Sequence, residues 1–269
     1  MIHAYKYQGA GNDFVIIDNR KEEINLNDKQ IRQLCNRRFG IGGDGMMLLG
    51  NSEKYDFTMK YFNADGFEGT MCGNGGRCLV AFAAHQGIKK FEFTAIDGYH
   101  KADVLEYSDH KCIVRLKMRD IDVIEKHLEG YFLNTGSDHF VIFVDDVTNF
   151  DVDTEGKKWR WSKRFPNGTN VNFVQIEPER LSVRTYERGV EAETYACGTG
   201  VTASSIASYI NGCKNYTKFT DAIGVHIKFD IKALGDKLAV DFIPIGGNSF
   251  REVYLTGPAT FVFDTKINI

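Results

Sequence analysis

The sequence lacks the features that mark several classes of protein. No stretch approaches the run of about 18 apolar residues that a bilayer-spanning helix needs. Lys and Arg total 33 against 36 Asp and Glu, a net charge of -3, so neither nucleic acid nor a membrane surface is an expected partner. The first residues, MIHAYKYQGAGNDF, show no basic segment followed by an apolar one. We therefore expect no secretory signal and a cytoplasmic location.

The cysteines lack the spacing of metal sites and disulfide frameworks. They fall at positions 35, 72, 78, 112, 197 and 213, with no C-x-x-C pair and no matching pair of histidines. No metal is therefore expected. Disulfide frameworks belong mainly to small secreted chains, and this chain has 269 residues. Reduced thiols are the expectation.

The composition is that of a folded globular protein. Hydrophobic residues make up 43% and charged residues 26% of the chain, far from the composition of disordered proteins. The length favours two domains of roughly 130 residues each. Glycine is abundant, with 27 residues against a usual share of about 7%. The glycines and cysteines are therefore the features to explain.

Short alternating or apolar segments predict a chain that is mainly β. The predicted strands are residues 14–18, 57–62, 91–95, 113–118, 140–144, 171–176, 181–186, 238–243 and 260–263. Three helices are predicted: residues 28–39 with Asp28 as N-cap, 74–86 ending at Gly87, and 199–210 ending at Asn211 and Gly212.

A short sequence recurs at the start of two predicted helices. Cys-Gly-Asn-Gly begins at Cys72, and Cys-Gly-Thr-Gly begins at Cys197, one in each half of the chain. The repeat suggests two similar halves joined near residue 120. The other four cysteines, Cys35, Cys78, Cys112 and Cys213, lack this context and are predicted to be small core residues.

A cysteine at the start of a helix is suited to acid/base chemistry. The first turn presents unpaired N–H groups and the positive end of the helix dipole, which favour a thiolate or a bound carboxylate. Two such thiols on opposite sides of one carbon can invert it, because one face loses a proton while the other gains one. The N–H groups would stabilise the negative charge that develops on an adjacent carboxylate. Cys72 and Cys197 are the candidates for this pair.

Several longer motifs follow one another along the chain. In the first half stand GAGNDF from Gly9, RRFGIGGDG from Arg37, FNADG from Phe62 and CGNGGRC from Cys72. In the second half stand GTNVNFV from Gly168, YERG from Tyr186 and ACGTG from Ala196. In this order they resemble the diaminopimelate epimerase family over most of the chain.

The resemblance implies a fold and an activity. The expected fold is α/β (α+β), with two pseudo-symmetric domains, each a β-barrel-like sheet around a central helix, and the active site in the cleft between them. The expected domains are residues 1–118 plus 256–269, carrying Cys72, and residues 119–255, carrying Cys197. The expected enzyme is an isomerase without a cofactor, a homodimer that interconverts LL- and meso-2,6-diaminopimelate for lysine and peptidoglycan synthesis.

The resemblance also assigns the reacting groups. Cys72 and Cys197 match the two acid/base thiols. His139 matches a histidine that the family keeps near its site, where it either steers a proton or orients a thiol. Asp138 stands where the family commonly has proline, and Ser137 where it often has an asparagine that contacts substrate.

The same resemblance implies a set of substrate-binding residues. Backbone N–H groups that hold the carboxylate at the reacting carbon match Gly73, Asn74, Gly198 and Thr199. Side chains that recognise the distal amino-acid end match Asn12, Asn63, Asn170, Glu187 and Arg188. Arg suits a carboxylate, Glu an ammonium group, and Asn both donates and accepts.

The segment before Cys197 departs from the family pattern. Glu187 to Cys197 spans eleven positions counted inclusively, one more than the family usually has, so a bulge or longer turn is expected. Glu187 and Arg188 are neighbours whose side chains would point to opposite faces of a regular strand. Either the strand ends there or one of the two contributes through its backbone.

The sequence is also compatible with other functions. Residues 40–45 satisfy G-x-G-x-x-G and residues 198–203 satisfy G-x-G-x-x-A, but neither follows an apolar strand as a dinucleotide site requires. A thiol hydrolase would pair one cysteine with His139 or His85. A proline or hydroxyproline racemase would share the two thiols, and a binding module without catalysis would need neither.

Overall fold

The chain folds into two compact units. The structure is a computed structural model that describes residues 1–268. Unit 1 comprises Met1–Leu116 and Gly257–Ile269, and unit 2 comprises Lys117–Thr256. The described residues form four helices and 17 strands, which confirms the predicted α/β class. None of these helices combines the length and apolar character needed to span a bilayer.

Unit 1 is a closed eight-stranded barrel. Its helices are α1 (Asp28–Cys35) and α2 (Gly73–His85). Its strands are β1 (Ile2–Gly9), β2 (Asn12–Asp18), β3 (Gly45–Gly50), β4 (Phe57–Asn63), β5 (Phe91–Ala95), β6 (Gly98–Tyr107), β7 (Lys111–Lys117) and the later part of β17 (Ser249–Ile267). Each strand pairs with the next along the chain from β1 to β7, and β17 pairs with both β7 and β1 to close the ring.

Helix α2 is the central helix of unit 1. It packs against β1, β2, β3 and β6, and every residue from Gly73 to Ala84 is buried. A helix buried on all sides must be apolar or small on all sides, and GNGGRCLVAFAA satisfies this except at Asn74 and Arg77. Those two polar residues belong to the site described below.

Unit 2 repeats the plan of a sheet around a helix. Its helices are α3 (Val152–Arg160) and α4 (Gly198–Ile210). Its strands are β8 (Ile124–Lys126), β9 (Tyr131–Asn134), β10 (Asp138–Phe143), β11 (Asn170–Ile176), β12 (Leu181–Glu187), β13 (Ala192–Thr194), β14 (Thr217–Thr220), β15 (Val225–Lys232), β16 (Lys237–Gly246) and the first part of β17. The main ladder runs β8-β9-β10-β11-β12-β15-β16-β17, with β13 beside β12 and β14 beside β15.

Helix α4 is the central helix of unit 2 and carries buried hydroxyl groups. It packs against β9, β10, β11, β12 and β16. Each of its buried hydroxyls donates to the carbonyl four residues earlier, at Thr202, Ser204, Ser205 and Ser208. Because each buried hydroxyl has a partner inside the helix, α4 can be enclosed without an unsatisfied donor.

The helix starts and ends correct two sequence predictions. Asp28 is not the N-cap of α1: Asn27 accepts from the Gln30 N–H, and the Gln30 side chain accepts from the Asn27 N–H. This capping box places Asp28 in the first turn. The predicted extension to residue 39 is also wrong, because the Asn36 side chain accepts from the N–H groups of Arg38 and Phe39 and so forms a turn.

The remaining predicted elements overlap observed ones. Helices α2 and α4 each begin one residue earlier than predicted, and Gly87 follows α2 with a φ of 85°, as expected for a helix-ending glycine. Each predicted strand overlaps an observed strand. The elements absent from the prediction are α3, β1, β3, β6, β8, β9, β13, β14 and β15.

Candidate active site

Cys72 lies at the N-cap position of α2. Its backbone is extended, with φ -92° and ψ 131°, and its carbonyl accepts from the Gly76 N–H at 2.7 Å. The first turn of α2 includes Gly73 and Asn74, and the backbone N–H groups of a first turn point toward the N-terminal end of the helix. The thiol therefore sits beside a row of backbone donors. This is the arrangement expected for a site that holds a carboxylate.

Two asparagines lie beside Cys72. The Asn12 Oδ1 atom is 3.7 Å from Cys72 Sγ and accepts from Asn74 Nδ2 at 3.4 Å. Asn74 in turn accepts from Arg77 Nη2 at 3.0 Å, and Arg77 is fully buried. Two of the predicted substrate-binding residues, Asn12 and Asn74, thus meet at the predicted catalytic thiol of unit 1.

A cluster of four charged residues supports Asn12. Asn12 Nδ2 donates to Asp44, and Arg37 binds Asp13 through two nitrogens, at 2.9 and 2.6 Å, and Asp44 at 2.7 Å. The buried Lys6 ammonium lies 2.6 Å from Asp13. Burial would raise the pKa of Asp13, but the hydrogen bonds from Arg37 and Lys6 outweigh it and lower that pKa to about 2. The predicted binding residue Asn12 is therefore anchored by ionised groups.

Asn63 lies where β4 ends. Its side chain is exposed, its N–H donates to the Phe67 carbonyl, and its carbonyl accepts from the Gly66 N–H, both at 2.9 Å. Gly66 has a φ of 90°, which a glycine adopts without strain. The turn thus fixes the backbone of Asn63 and leaves its side chain at the surface of unit 1.

Cys197 has the same position in unit 2 that Cys72 has in unit 1. It is the N-cap of α4, with φ -105° and ψ 113°, and its carbonyl accepts from the Val201 N–H at 2.9 Å. Its Sγ lies 3.4 Å from Thr199 Oγ1. The recurring C-G-[NT]-G sequence thus marks the same local structure twice: a cysteine before the first turn of a buried central helix.

His139 is linked to Cys197 through Thr199. Its Nε2 lies 2.8 Å from Thr199 Oγ1 and 2.9 Å from Ser137 Oγ, and its Nδ1 lies 3.0 Å from the Asn172 side-chain nitrogen. Since that amide nitrogen donates, Nδ1 accepts and Nε2 carries the proton. Complete burial, together with the Arg188 charge, lowers the pKa of His139 to about 3. The imidazole is therefore neutral at pH 7.

Sequence reasoning missed Asn172, which holds His139 from behind. Asn172 lies on β11 and is fully buried, and its Oδ1 accepts from Thr185 Oγ1 at 2.9 Å. A Cβ atom built on Gly200 would lie 2.3 Å from that oxygen. The second glycine of the C-G-T-G sequence thus makes room for the amide. The only signal in the sequence was the place of Asn172 within the motif GTNVNFV.

Glu187 and Arg188 stand where β12 ends, which resolves their predicted conflict. Glu187 is the last residue of β12, and its Oε2 accepts from Thr194 Oγ1 at 2.9 Å. The N–H of Arg188 donates to Asn170 Oδ1 at 2.9 Å, and its guanidinium donates to the carbonyl of Asn167 at 3.1 Å. The end of the strand releases the two side chains from strict alternation.

A turn lies where a bulge or longer turn was expected. Residues 188–191 form it between the antiparallel strands β12 and β13, and the Glu191 N–H donates to the Glu187 carbonyl at 2.8 Å. Gly189 and Glu191 both have positive φ, 95° and 59°. Tyr186 Oη donates to the Glu191 carbonyl at 2.8 Å, which holds the left-handed residue in place.

The glycine patterns do not form dinucleotide sites. Residues 40–45 follow helix α1, and residues 198–203 follow β13, which pairs antiparallel with β12. Neither has the parallel strand of a βαβ unit. Among residues 1–268, no group of three His, Cys, Asp or Glu side chains is placed to hold a metal ion.

The structure also argues against a hydrolase that uses His85. His85 is the last residue of α2, about 18 Å along the helix axis from its start at 1.5 Å per residue. Its two ring nitrogens lie 2.6 Å from Tyr7 Oη and 2.9 Å from the Ser108 carbonyl. Cys72 lies at the opposite end of that helix.

The fold defines the class to which the protein belongs. A PhzF-family phenazine biosynthesis protein from Bacillus anthracis matches with a TM-score of 0.76 at 12% identity, covering 100% of this chain and 99% of that one. A probable proline racemase from Agrobacterium radiobacter matches with a TM-score of 0.68 at 13% identity, covering 100% and 93%. The protein thus has the proline racemase and PhzF fold, with a cysteine at the head of each central helix.

Sequence comparison narrows the class to one family. The diaminopimelate epimerase family model matches residues 4–112 and 131–262. A diaminopimelate epimerase of Flavobacterium psychrophilum is 47% identical, covering 98% of this chain and 99% of the relative. One of Chlorobaculum tepidum is 43% identical, covering 97% and 99%. The chain belongs to the diaminopimelate epimerase family.

Proposed function

We propose that the chain is a diaminopimelate epimerase that needs no cofactor and interconverts LL- and meso-2,6-diaminopimelate, a step toward lysine and peptidoglycan precursors. One observation carries this proposal beyond family membership. Each unit places a cysteine, Cys72 or Cys197, at the N-cap of a buried central helix. One reaction that needs two equivalent thiols is the inversion of a carbon beside a carboxylate.

The reaction moves one proton off the substrate and another onto it. The thiolate of one cysteine takes the α-hydrogen, and the electron pair of the C–H bond spreads into the adjacent carboxylate. The thiol of the other cysteine then gives its proton to the opposite face and becomes the thiolate. The N–H groups of Gly73, Asn74, Gly198 and Thr199 would stabilise the added charge on the carboxylate. The enzyme ends with its thiol and thiolate exchanged.

The distal end of the substrate needs groups for a second ammonium and a second carboxylate. We assign this recognition to five side chains, Asn12, Asn63, Asn170, Glu187 and Arg188. In unit 2 the Asn170 side chain receives the Arg188 N–H and donates to the Asp138 carbonyl at 2.9 Å, which favours a fixed orientation for Arg188. His139 acts as a neutral auxiliary group that orients Thr199 beside Cys197.

The proposal also covers the domain boundaries, the oligomeric state and the location of the protein. We place residues 1–118 and 256–269 in the half that supplies Cys72, and residues 119–255 in the half that supplies Cys197. We expect a cytoplasmic homodimer that binds this small molecule and neither nucleic acid nor membrane. Light scattering on the purified protein should give twice the mass of the 30.4 kDa chain.

Exchange in deuterated water tests the activity. With LL-diaminopimelate, NMR should show meso product that carries deuterium at the α-carbon, and proline or hydroxyproline should show no exchange.

Cys72→Ala and Cys197→Ala should each abolish the conversion while the protein stays folded. Cys213→Ala, a free buried cysteine outside both helix starts, is the matched control and should stay active. Turnover by either single variant of the pair would refute the two-base mechanism.

A further inference from the structure

The motif RRFGIGGDG, which begins at Arg37, has no part in the reaction proposed above. Its residues Arg37 and Asp44 form the support of Asn12. We propose that Asp44 is a positioning residue that fixes the Asn12 amide with its oxygen toward the Cys72 thiol. The inference rests on the proposed role of Cys72 as an acid/base group.

Asp44 sets the orientation of Asn12 from one side. An ionised carboxylate accepts hydrogen bonds and cannot donate them, so the Asn12 atom that faces Asp44 is its NH₂ group. The amide oxygen therefore points the other way. Arg37 holds the Asp44 carboxylate in place: its Nη2 donates to Asp44 at 2.7 Å, and the same guanidinium also donates to Asp13.

Arg77 confirms the same orientation from the other side. A guanidinium donates and cannot accept, so the Asn74 atom facing Arg77 Nη2 at 3.0 Å is its oxygen. The Asn74 NH₂ group then points to Asn12 Oδ1, at 3.4 Å. A cation at one end and an anion at the other thus fix two amides in series, and Oδ1 of Asn12 is the atom 3.7 Å from Cys72 Sγ.

Asp44 is itself held by its backbone. Its N–H donates to the Asp13 carbonyl at 2.8 Å, and its carbonyl accepts from the Ala64 N–H at 3.2 Å. The charged residues linked to the Asn12 and Asn74 amides are Asp44, Arg37 and Asp13 with Lys6, and Arg77 on α2. The Cys78 thiol on α2 also interacts electrostatically with Cys72. The two acids and three bases leave one net positive charge, so the local charge alone does not favour the neutral thiol.

The orientation has a chemical consequence for the thiol. An amide oxygen can accept a hydrogen bond from the S–H group of a thiol, but it cannot donate one to a thiolate. It therefore favours the protonated form of Cys72. The group that faces Cys197 is different, because the Thr199 hydroxyl at 3.4 Å can donate to sulfur. Asp44 therefore biases Cys72 toward the acid form of the pair.

Asp44→Asn tests the proposal. The new amide gives its oxygen to Arg37 and its NH₂ group to Asn12, where it opposes the orientation that Asn74 favours. Because the contact from Asn74 is long, at 3.4 Å, we expect the Asn12 amide to turn and present its NH₂ group to Cys72. Alkylation of the Cys72 peptide by iodoacetamide, followed by mass spectrometry over pH, should reach half its maximal rate about one pH unit lower. The value of kcat/KM should fall about tenfold in both directions alike, because the equilibrium constant of the reaction fixes their ratio, with KM changed less than twofold.

Asp44→Glu is the conservative control, since it keeps a carboxylate beside Asn12 and should keep the wild-type alkylation profile. A second control removes the amide. In an Asn12→Leu background, Asp44→Asn should give no further shift, because no amide remains to turn. An equal shift with and without the Asn12 amide would mean that charge alone acts, and would overturn the proposal.

Further measurements distinguish a failure of the Asp44 positioning role from a failure of the proposed epimerase function. If Asp44→Asn does not fold, Asn12→Leu alone should still move the Cys72 profile to lower pH, and an unchanged profile refutes the positioning role. If the wild-type protein does not epimerise diaminopimelate but Asp44→Asn shifts the profile, the function fails and the positioning stands. If the wild type is active and the profile does not move, only the positioning fails.

Discussion

His139 shows how a single buried residue couples the site to stability. It is enclosed completely, and its neutral form is held by Asn172 on one nitrogen and by Thr199 and Ser137 on the other. A protonated imidazole there would lose its acceptor nitrogen and stand near the Arg188 charge. Both effects oppose protonation, so the site keeps this histidine neutral at the cost of stability in acid.

The pH dependence of unfolding should report this directly. The unfolded chain protonates His139 below about pH 6.5, whereas the folded chain does so only near its pKa of about 3. Between these values the unfolded state binds more protons, so stability falls as pH falls, by up to about 1.4 kcal/mol per pH unit. Urea unfolding at pH 6.5, 5.5 and 4.5, values chosen above the titration of Asp13, should show a shallower slope for His139→Gln.

The exposed His110 supplies the matched control for that experiment. His110→Gln should keep the wild-type slope. An identical slope for wild type and His139→Gln would show that His139 is not held neutral in the folded protein.

The buried cysteines should differ from the proposed catalytic pair in reactivity. Burial raises the pKa of Cys35 to about 11, and burial outweighs the Arg77 charge to raise the pKa of Cys78 to about 12. Each shift of two pKa units or more reduces the thiolate fraction at least about a hundredfold. Iodoacetamide at pH 8 should therefore modify Cys35 and Cys78 in urea but hardly at all in the folded protein. Equal rates in both conditions would contradict the burial of these thiols.

For single residues, the sequence identifies the proposed reacting groups better than the residues that position them. The local pattern C-G-[NT]-G predicted helices that begin at Asn74 and Thr199, each within one residue of the observed start, because N-cap geometry depends on neighbours in the chain. The partners Asp44 of Asn12 and Asn172 of His139 lie 32 and 33 positions away. Only the fold brings such residues together, so a periodicity argument does not find them.

Helix α3 is the element that the sequence conceals. Its buried residues are Val152, Gly156 and Arg160, spaced by four as a helix face requires. Only one of the three is a large apolar residue, so no hydrophobic stripe appears. Arg160 can be buried because it pairs with Glu191 at 3.0 Å. Glu191 lies outside the helix, so the sequence of α3 alone does not predict this contact. By contrast, β2 is predicted well because it contains the continuous apolar run FVII, and β11 and β12 are predicted well because apolar residues recur through NVNFVQI and LSVRTYE.

Gly156 offers a test of why this helix packs so closely. Replacing an interior helix glycine by alanine normally stabilises a helix by up to about 1 kcal/mol. Here the added Cβ would lie 2.3 Å from the Tyr186 Cβ on β12, a backbone-proximal atom that cannot move aside. Gly156→Ala should therefore destabilise unit 2 by about 1–3 kcal/mol in urea unfolding, whereas Lys157→Ala, an exposed neighbour, should change little. A stabilised Gly156→Ala variant would refute the close packing of α3 on β12.

The whole molecule is built from two units that share one strand. The first part of β17 pairs with β16 in unit 2, and the part from Gly257 onward pairs with β7 and β1 in unit 1. The recurring cysteine sequence predicted two similar halves, but the closure of the unit 1 barrel joins the start of the chain to its last strand. That pairing, such as Ile2 with Ile267, depends on contacts too distant in sequence for any local pattern to reveal.

This arrangement predicts that removing the last strand unfolds one unit and spares the other. A chain that ends after Thr256 keeps the β16 pairing but removes β17 from beside β1 and β7, which retain only β2 and β6 as neighbours, and it loses the buried Ala259. An open barrel exposes two edges and the core around α2. Hydrogen exchange followed by mass spectrometry should therefore show fast exchange in β1, β7 and α2, while α4 and β10 to β12 keep their protection.

A chain that ends after Asp264 retains the β7 pairing and most of the β1 pairing, so it should protect both units. If the shorter chain loses protection throughout, the two units fold as one cooperative body, and if it keeps protection throughout, the last strand does not hold the barrel closed.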